Sequence, residues 1–129
     1  MTPLHLAAGF GSSTEVVNTL IRAGAHVDAL DSLQRSPLHW ASWWNPALVP
    51  VLIGAKCEVN LLNVCQPQES PLYYAARYSM YWGSVSSARS AVLALVQAGA
   101  DPDLGRSPLT CSFVCDGMKT LIKSNIPLV

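Results

Sequence analysis

The sequence predicts an all-α protein built as a row of stacked helix pairs, an α-solenoid. A Ser/Thr-Pro-Leu triplet occurs four times, with its prolines at positions 3, 37, 71 and 108. A second segment follows the first three triplets, reading AGAHVDALD at 23–31, GAKCEVNLLN at 54–63 and AGADPD at 98–103. Two separate signatures in one register indicate an internal repeat, and repeats of about 20–50 residues are typical of solenoids.

Each triplet predicts the start of a first, short helix. A Ser or Thr oxygen ahead of the helix can accept a hydrogen bond from a first-turn N–H that has no other partner. Proline at the first helical position gives up no donor that the helix needs. The alanines that follow are small, so a neighbouring helix can approach closely. A leucine begins the buried face in each unit: Leu4, Leu38, Leu72 and Leu109.

Apolar pairs four residues apart predict a second helix in each of the first three units, over 14–23, 47–53 and 87–98. Gly24 and Gly99 suit the left-handed position that ends a helix. Pro50 removes a helical hydrogen bond, so we expect the second helix of unit two to be short or kinked.

The segments TPLHLAA (2–8) and VVNTLIRAGAHVDALD (16–31) resemble an ankyrin repeat, which has a period of about 33 residues and a Thr-Pro-Leu-His-x-Ala signature. The resemblance covers nearly the whole chain. It implies extended finger loops at about 25–35, 57–69 and 100–106. The expected domain is a single ankyrin-repeat α-solenoid, 1–129, whose first and last repeats are incomplete. Its approximate repeats are 1–30, 31–62, 63–103 and 104–129.

Several departures from that pattern carry expectations of their own. Lys56 stands where the family usually has glycine, and the fourth unit has lost its alanines. The third unit has an insertion of about eight residues relative to the period, within 77–90. The chain also starts directly at a triplet, so we expect a segment of a longer protein that is marginally stable or associates in isolation.

Aromatic residues point to a partner surface, since eight of the ten lie between Trp40 and Trp82. The resemblance implies that the two positions after the signature face the concave side, where the family binds other proteins. Trp, Tyr and Arg are favoured anchors in such interfaces. The predicted protein-binding residues on this face are Phe10, Trp43, Trp44, Arg77, Tyr78, Tyr81 and Trp82. Those predicted in the fingers are Leu33, Arg35, Gln66 and Gln68.

Other readings of these aromatics remain open at this point. Trp40 is expected to pack between repeats as a core residue. One of Trp43 and Trp44 could be buried under the insertion, and the aromatics at 78–82 could simply fill space beside a longer loop. His5 and His39 belong to the signature, and the resemblance implies that they make structural hydrogen bonds between neighbouring segments.

Composition argues against several other classes of function. The 8 basic and 8 acidic residues leave no basic stripe for nucleic acid. The apolar runs are too short for membrane insertion, and the N-terminus lacks the features of a signal peptide. The four cysteines include no Cys-x-x-Cys pair, so we expect reduced thiols and no metal site. Phosphate-loop, dinucleotide and nucleophile-elbow signatures are absent, so no cofactor, small-molecule substrate or catalysis is expected.

The sequence therefore predicts a non-catalytic module that binds another protein through a concave face and finger loops, in the cytoplasm or nucleus. The alternative is a structural spacer segment of a longer repeat protein without a partner site of its own. The segments SPLYYAARY (70–78) and AGADPD are similar in style to ankyrin-repeat-and-SOCS-box proteins. That similarity implies substrate recognition for a ubiquitin ligase, although no SOCS box is found in this sequence.

Overall fold

The computed structural model describes residues 1–10, 13–77, 85–111, 114 and 116–125. Every regular element within these residues is helical, which confirms the predicted all-α class. In chain order the elements are α1 (Pro3–Gly9), α2 (Thr14–Arg22), α3 (Pro37–Trp44), a 3-10 turn (Pro46–Leu48), α4 (Val49–Gly54), α5 (Pro71–Arg77), α6 (Val85–Gln97) and α7 (Asp116–Asn125).

The helices form two layers. The first helices of consecutive units pack side by side, α1 against α3 and α3 against α5. Each first helix also packs against the second helix of its own unit, α1 on α2, α3 on α4 and α5 on α6. The last helix, α7, packs on α6. Because each helix contacts mainly its neighbours in the row, the core is a continuous strip between the layers.

The first helices start as the triplets predict. The Thr2 hydroxyl accepts from the His5 amide at 3.4 Å, and His5 Nδ1 accepts from the Thr2 amide at 3.1 Å. Ser36 and His39 repeat this reciprocal cap at 3.4 and 3.1 Å. In the third unit the Ser70 hydroxyl accepts from the Tyr73 amide at 3.2 Å. The capping oxygen of each triplet therefore takes up a first-turn amide that has no partner in the helix.

The fourth triplet does not produce a helix. The Ser107 hydroxyl accepts a hydrogen bond from the Leu109 amide at 3.2 Å, but residues 108–110 form a turn. This segment has Thr110 and Cys111 where the earlier units have a histidine or tyrosine and another apolar or aromatic residue. Among the described residues, the fourth unit is represented by α7 alone.

The second helices match the predictions closely, with one early start and one break. α2 lies within the predicted span, while α6 begins at Val85, two residues before the predicted start at Ser87. In unit two a 3-10 turn precedes the six-residue α4, and Pro50 lies in the first turn of α4. α4 is short, as expected. The reason predicted from the sequence was wrong, because Pro50 is the second residue of α4, where a proline removes no hydrogen bond that the helix needs.

Residues with positive φ follow the second helices. Gly24 and Gly99 have φ of +95° and +96°, and Lys56 takes the corresponding place in unit two with φ of +63°. Glycine adopts this left-handed conformation without the steric penalty of a Cβ atom, so Lys56 holds a conformation that its side chain disfavours. The sequence-based assignment of Gly24 and Gly99 as helix ends is confirmed.

Candidate functional site

Four aromatic side chains from consecutive first helices form a continuous line, here called the aromatic row: Phe10, Trp44, Trp43 and Tyr74. The ring centroids of Phe10 and Trp44 are 6.0 Å apart with planes tilted by 35°. Trp44 and Trp43 stack at 4.8 Å and 18°. Trp43 meets Tyr74 edge-on at 5.6 Å. Offset-stacked and edge-to-face pairs at such distances are favoured arrangements of aromatic rings.

The repeat itself brings these rings together. Phe10 caps the end of α1, where its amide donates to the Leu6 carbonyl at 3.0 Å. Trp43 and Trp44 are the last two residues of α3. Because α1, α3 and α5 pack side by side, residues one unit apart become neighbours across the layer. The positions after each signature, which the sequence singled out, therefore converge in space for units one and two.

Exposure falls along the aromatic row. Phe10 is 63% exposed, Trp43 and Trp44 are half-buried, and Tyr74 is 3% exposed. Trp40, which lies below Phe10 with ring centroids 5.7 Å apart, is 7% exposed, so its predicted place in the core is confirmed. Within the row, the Phe10 end has the largest area open to a partner.

Asp31 and Arg35 in the first finger form a charged cluster that contacts Trp40, the buried ring next to Phe10 of the aromatic row. Asp31 Oδ2 accepts from Arg35 Nε at 2.9 Å and from the Trp40 indole N–H at 3.0 Å. The Arg35 guanidinium lies 5.3 Å from the Trp40 ring centroid. Burial would raise the pKa of Asp31, but the hydrogen bonds from the Arg35 amide and Trp40 and the charge of Arg35 together lower it. Arg35 thus has internal partners, and its contact with another protein stays a prediction.

Asn63 occupies the matching place in the second finger. Its Oδ1 accepts from the Cys65 amide at 3.1 Å and the Glu69 amide at 2.9 Å. Its Nδ2 donates to the Tyr74 hydroxyl at 2.9 Å. Burial raises the pKa of Tyr74 to about 12, so the hydroxyl stays protonated at neutral pH. The finger loop therefore fixes Tyr74, the buried end of the aromatic row.

The two signature histidines bond to the fingers that follow them. His5 Nε2 donates to the Arg35 carbonyl at 2.8 Å, and His39 Nε2 donates to the Glu69 carbonyl at 3.1 Å. Their Nδ1 atoms already accept from cap amides, so each ring is held as the neutral Nε2–H tautomer. Burial lowers the pKa of both, to about 4 for His39. The structural role implied by the family resemblance is confirmed.

The predicted finger residues lie at the surface to different extents. Leu33 is 41% exposed, and its carbonyl accepts from the Val64 amide of the next finger at 3.1 Å. Gln66 and Gln68 are exposed, and the Gln68 carbonyl accepts from the Arg106 amide at 2.7 Å. Backbone hydrogen bonds thus join successive fingers.

Four of the predicted binding residues lie in or beside the insertion, and the structure describes one of them, Arg77. Arg77 is the half-buried last residue of α5. Tyr78, Tyr81 and Trp82 lie outside the described residues, as do positions 78–84 of the predicted insertion. The last part of that insertion, from Val85 onward, belongs to α6.

Sequence reasoning missed the Asp31–Arg35–Trp40 cluster and the Asn63–Tyr74 bond. The available signal for the first was an acid and a base four residues apart within a finger, a spacing usually read only on helices. For the second, Asp31 and Asn63 end the two equivalent segments DALD and NLLN, which suggested matching roles.

The described residues include three of the four cysteines, Cys57, Cys65 and Cys111. Cys57 and Cys65 carry free thiols, and Cys111 Sγ lies 3.5 Å from the Tyr73 hydroxyl. Burial raises the pKa of Cys57 to about 12. Within 1–10, 13–77, 85–111, 114 and 116–125, no group of three or more His, Cys, Asp or Glu side chains is placed to hold a metal ion. Over the same residues, no helix has the length and apolar character needed to cross a membrane.

The family model described as ankyrin repeats (3 copies) matches residues 1–63. The matched residues include both histidine-bearing signatures, the first finger loop with the Arg35 carbonyl that accepts from His5, and three rings of the aromatic row, Phe10, Trp43 and Trp44. This chain is an ankyrin-repeat protein. Its helical pairs form an ankyrin-repeat solenoid, as predicted. Ankyrin repeats are generally protein–protein interaction modules and are typically non-catalytic.

Proposed function

We propose that this ankyrin-repeat protein binds another protein, without catalysis, through the aromatic row and the adjoining finger tips. The observation that carries the proposal is the exposure of Phe10. Phe10 lies at the end of the aromatic row and is 63% exposed to solvent. Exposed aromatic groups of this kind are typical of interface anchors, and burying one against a partner removes apolar area from water.

The contacts that hold the aromatic row and Trp40 in place favour binding, because these side chains have little conformational freedom left to lose when a partner binds. The Trp43–Trp44 stack at 4.8 Å limits the motion of both rings. Trp40 and Tyr74 are fixed by Asp31 and Asn63 at 3.0 and 2.9 Å. A surface already held in one arrangement loses less conformational entropy when a partner binds.

The first prediction tests this surface with a matched pair of variants. Phe10→Ala removes the most exposed anchor, while Val16→Ala removes an apolar side chain of 45% exposure on α2. Partners would be identified by quantitative co-purification with the wild-type chain and titrated individually. Truncating an anchor should weaken binding by about 2 kcal/mol, roughly 30-fold, while Val16→Ala leaves binding unchanged. Thermal melts of both variants would show that the fold is intact.

The alternative function is a spacer within a longer repeat protein. In that case Phe10→Ala and Trp44→Ala would recover every partner as efficiently as the wild-type chain, and the proposed surface would be wrong. A third outcome, equal weakening by Phe10→Ala and Val16→Ala, would indicate general loss of structure and would also remove support for a localised site.

A narrower form of the proposal is substrate recognition within a ubiquitin-ligase adaptor. Its support is the repeat style of residues 70–78 and 98–103. The test is co-precipitation of a cullin scaffold with this protein. We also propose residence in the cytoplasm or nucleus, supported by the free thiols of Cys57 and Cys65. Fluorescence microscopy of a tagged chain tests that placement.

A further inference from the structure

The aromatic row and the tips of the first two fingers form one surface, here called the row-and-tip surface. The tips are residues 31–35 and 63–69. The first tip contacts the row through Asp31, which accepts from the indole of Trp40 beside Phe10 at 3.0 Å. The second tip contacts the row through Asn63, which donates to the Tyr74 hydroxyl at 2.9 Å. The chemistry of the row and the tips together therefore decides which partner fits.

The charged groups of the two tips are paired within the chain. Asp31 and Arg35 form an ion pair at 2.9 Å, and Glu69 Oε2 lies 3.7 Å from Arg106 Nη1 of the third finger. The tips contain no other Asp, Glu, Lys or Arg, and neither do residues 36–55, which include α3. Removing a charge from water without an opposite charge to receive it is costly. The row-and-tip surface therefore fits an uncharged ligand.

Both tips also present exposed apolar and amide side chains. Leu33 and Val64 are 41% and 42% exposed, and the Val64 amide donates to the Leu33 carbonyl at 3.1 Å. The exposed amide side chains are those of Gln34, Gln66 and Gln68. Each of these amides can donate two hydrogen bonds without carrying a charge. The tips therefore offer donors to a ligand whose backbone carbonyls lack partners of their own.

An extended ligand uses these groups better than a helix does. An α-helix pairs its own backbone groups, whereas a polyproline II segment has no internal hydrogen bonds and leaves its carbonyls available. Such a segment presents every third residue on one side, at intervals of about 9 Å. Packed helices lie about 8–10 Å apart, and α1 packs against α3. Residues three apart in the ligand can therefore meet rings of consecutive units, Phe10 in unit one and Trp43 or Trp44 in unit two.

We propose that the row-and-tip surface binds an uncharged segment in the polyproline II conformation, with prolines three residues apart. The proposal rests on the proposed function, because both use Phe10 and the Trp43–Trp44 stack. One proline packs on Phe10 and the next on the stacked indoles, whose centroids are 4.8 Å apart. The ligand carbonyls between the prolines accept from the glutamine amides of the tips. Aromatic-lined surfaces suit such segments because polyproline II is already ordered before binding.

The test titrates labelled synthetic peptides against the full chain by fluorescence polarisation. The first set has the form Pro-x-x-Pro-x-x-Pro, in which x is alanine, leucine or glutamine. A matched set keeps the composition but places the prolines two residues apart, and a third set replaces one x by glutamate or lysine. The first set should bind, and the other two should bind at least about tenfold more weakly. Prolines two residues apart point to different sides of the segment, and the added charge meets no free counter-charge.

Two matched pairs of variants locate the peptide on the surface. Phe10→Ala should weaken binding of the first set about 30-fold, while Val16→Ala, at a site of 45% exposure on α2, should leave it unchanged. Gln68→Ala should weaken binding about fivefold, because one hydrogen bond is lost. Gln97→Ala, at an exposed position of α6, should have no effect. Thermal melts of the four variants would show that the fold is intact.

The outcomes separate this inference from the proposed function. A co-purified protein whose binding depends on Phe10, with no binding of the Pro-x-x-Pro peptides, would overturn the inference and leave the proposed function standing. Equal binding of the two proline spacings, or of the wild-type and Phe10→Ala chains, would also overturn it. Tighter binding of an uncharged amphipathic helical peptide would show that the ligand is a helix. If neither a protein nor a peptide depends on Phe10, both proposals are wrong.

Discussion

His5 and His39 hold consecutive units together because each histidine connects the start of one first helix to the finger that follows it. Both rings are buried and neutral, and both use one nitrogen for the helix cap and the other for the finger carbonyl. Protonation would place a charge in the core and convert the accepting Nδ1 into a donor that faces an amide N–H. The hydrogen bonds of His5 and His39 therefore depend on pH.

The second prediction concerns the acid sensitivity of His39. Its pKa is about 4 in the folded chain, below the ordinary value of 6.5, because of burial. Between these values the unfolded chain binds more protons. The free energy of unfolding should therefore be highest above about pH 6.5 and fall by about 3 kcal/mol as the pH decreases toward 4. Urea unfolding at several pH values measures this slope.

Two substitutions separate His39 from the other titrating groups. His39→Gln should lower stability at pH 7 and flatten the slope between pH 6.5 and 4. His26→Gln, in the exposed part of the first finger, should leave the slope as it is. If His39→Gln kept the full slope, the pH dependence would belong to other residues.

The third prediction concerns Ser42, whose side chain is fully buried in α3. Its hydroxyl has no hydrogen-bond partner among the described residues, and the equivalent positions in units one and three are the buried Ala8 and Ala76. Ser42→Ala should raise the free energy of unfolding by about 1 kcal/mol, because an unsatisfied polar group leaves the core. Ser90→Ala, at an exposed position of α6, measures the gain from helix propensity alone. A smaller gain at Ser42 than at Ser90 would contradict the prediction.

At the scale of helices, close approach within the first-helix layer depends on small residues at defined positions. Gly9 ends α1 against the Trp40 ring of α3, and a Cβ atom added there would lie 2.7 Å from Trp40 Cε3. Gly54 ends α4, and a Cβ atom there would have no neighbour within 4 Å. Because both glycines lie in helices, comparing an alanine substitution at each position separates the effect of packing from the effect of helix propensity.

The fourth prediction uses this pair. Gly9→Ala should lower the free energy of unfolding by about 1–3 kcal/mol, because the ring of Trp40 must shift in a packed core. Gly54→Ala should raise it by up to about 1 kcal/mol, because alanine favours the helix and meets no obstacle. Chemical denaturation followed by tryptophan fluorescence measures both. Equal stabilisation by the two changes would show that α1 and α3 are not in close contact at Gly9.

At the scale of the whole molecule, the stack is uneven from one end to the other. α3 has a neighbour on each side in the first-helix layer, α1 and α5, whereas α7 packs on α6 and has no first helix of its own among the described residues. Met118 and Ile122 are the buried residues of α7. In an array of this kind, local stability follows the number of neighbouring interfaces.

The fifth prediction is a gradient of amide hydrogen exchange. Amides of α7 should exchange faster than those of α3 and α5. α7 packs on α6, whereas α3 and α5 each pack against a first helix and a second helix. Mass spectrometry of peptides from a native-state exchange experiment measures this order. Ile122→Ala should accelerate exchange in α7 and leave α3 unchanged. Equal protection of α3 and α7 would instead indicate one cooperative unit.

The sequence was sufficient for the helix starts, the junction histidines and the core position of Trp40, because local chemistry determines these features. It was not sufficient for Arg35, whose binding to Asp31 and Trp40 depends on how the finger folds back. The turn at residues 108–110 could not be predicted from the sequence either, since a triplet starts a helix only if the residues after it can form that helix. The burial of Trp43 and Trp44 depends on rings from adjacent units, which no local pattern encodes.

The bond from each histidine to a carbonyl 30 residues later also constrains how many residues a unit can contain. Both units that have this bond lead to the next triplet after 34 residues, at Pro37 and at Pro71. In the third unit the position is Tyr73, which contacts Cys111 Sγ at 3.5 Å instead, and the next triplet follows only at Pro108. Length variation should therefore be tolerated in the third unit, whereas a single inserted residue between His5 and Arg35 would have to be looped out or break that junction.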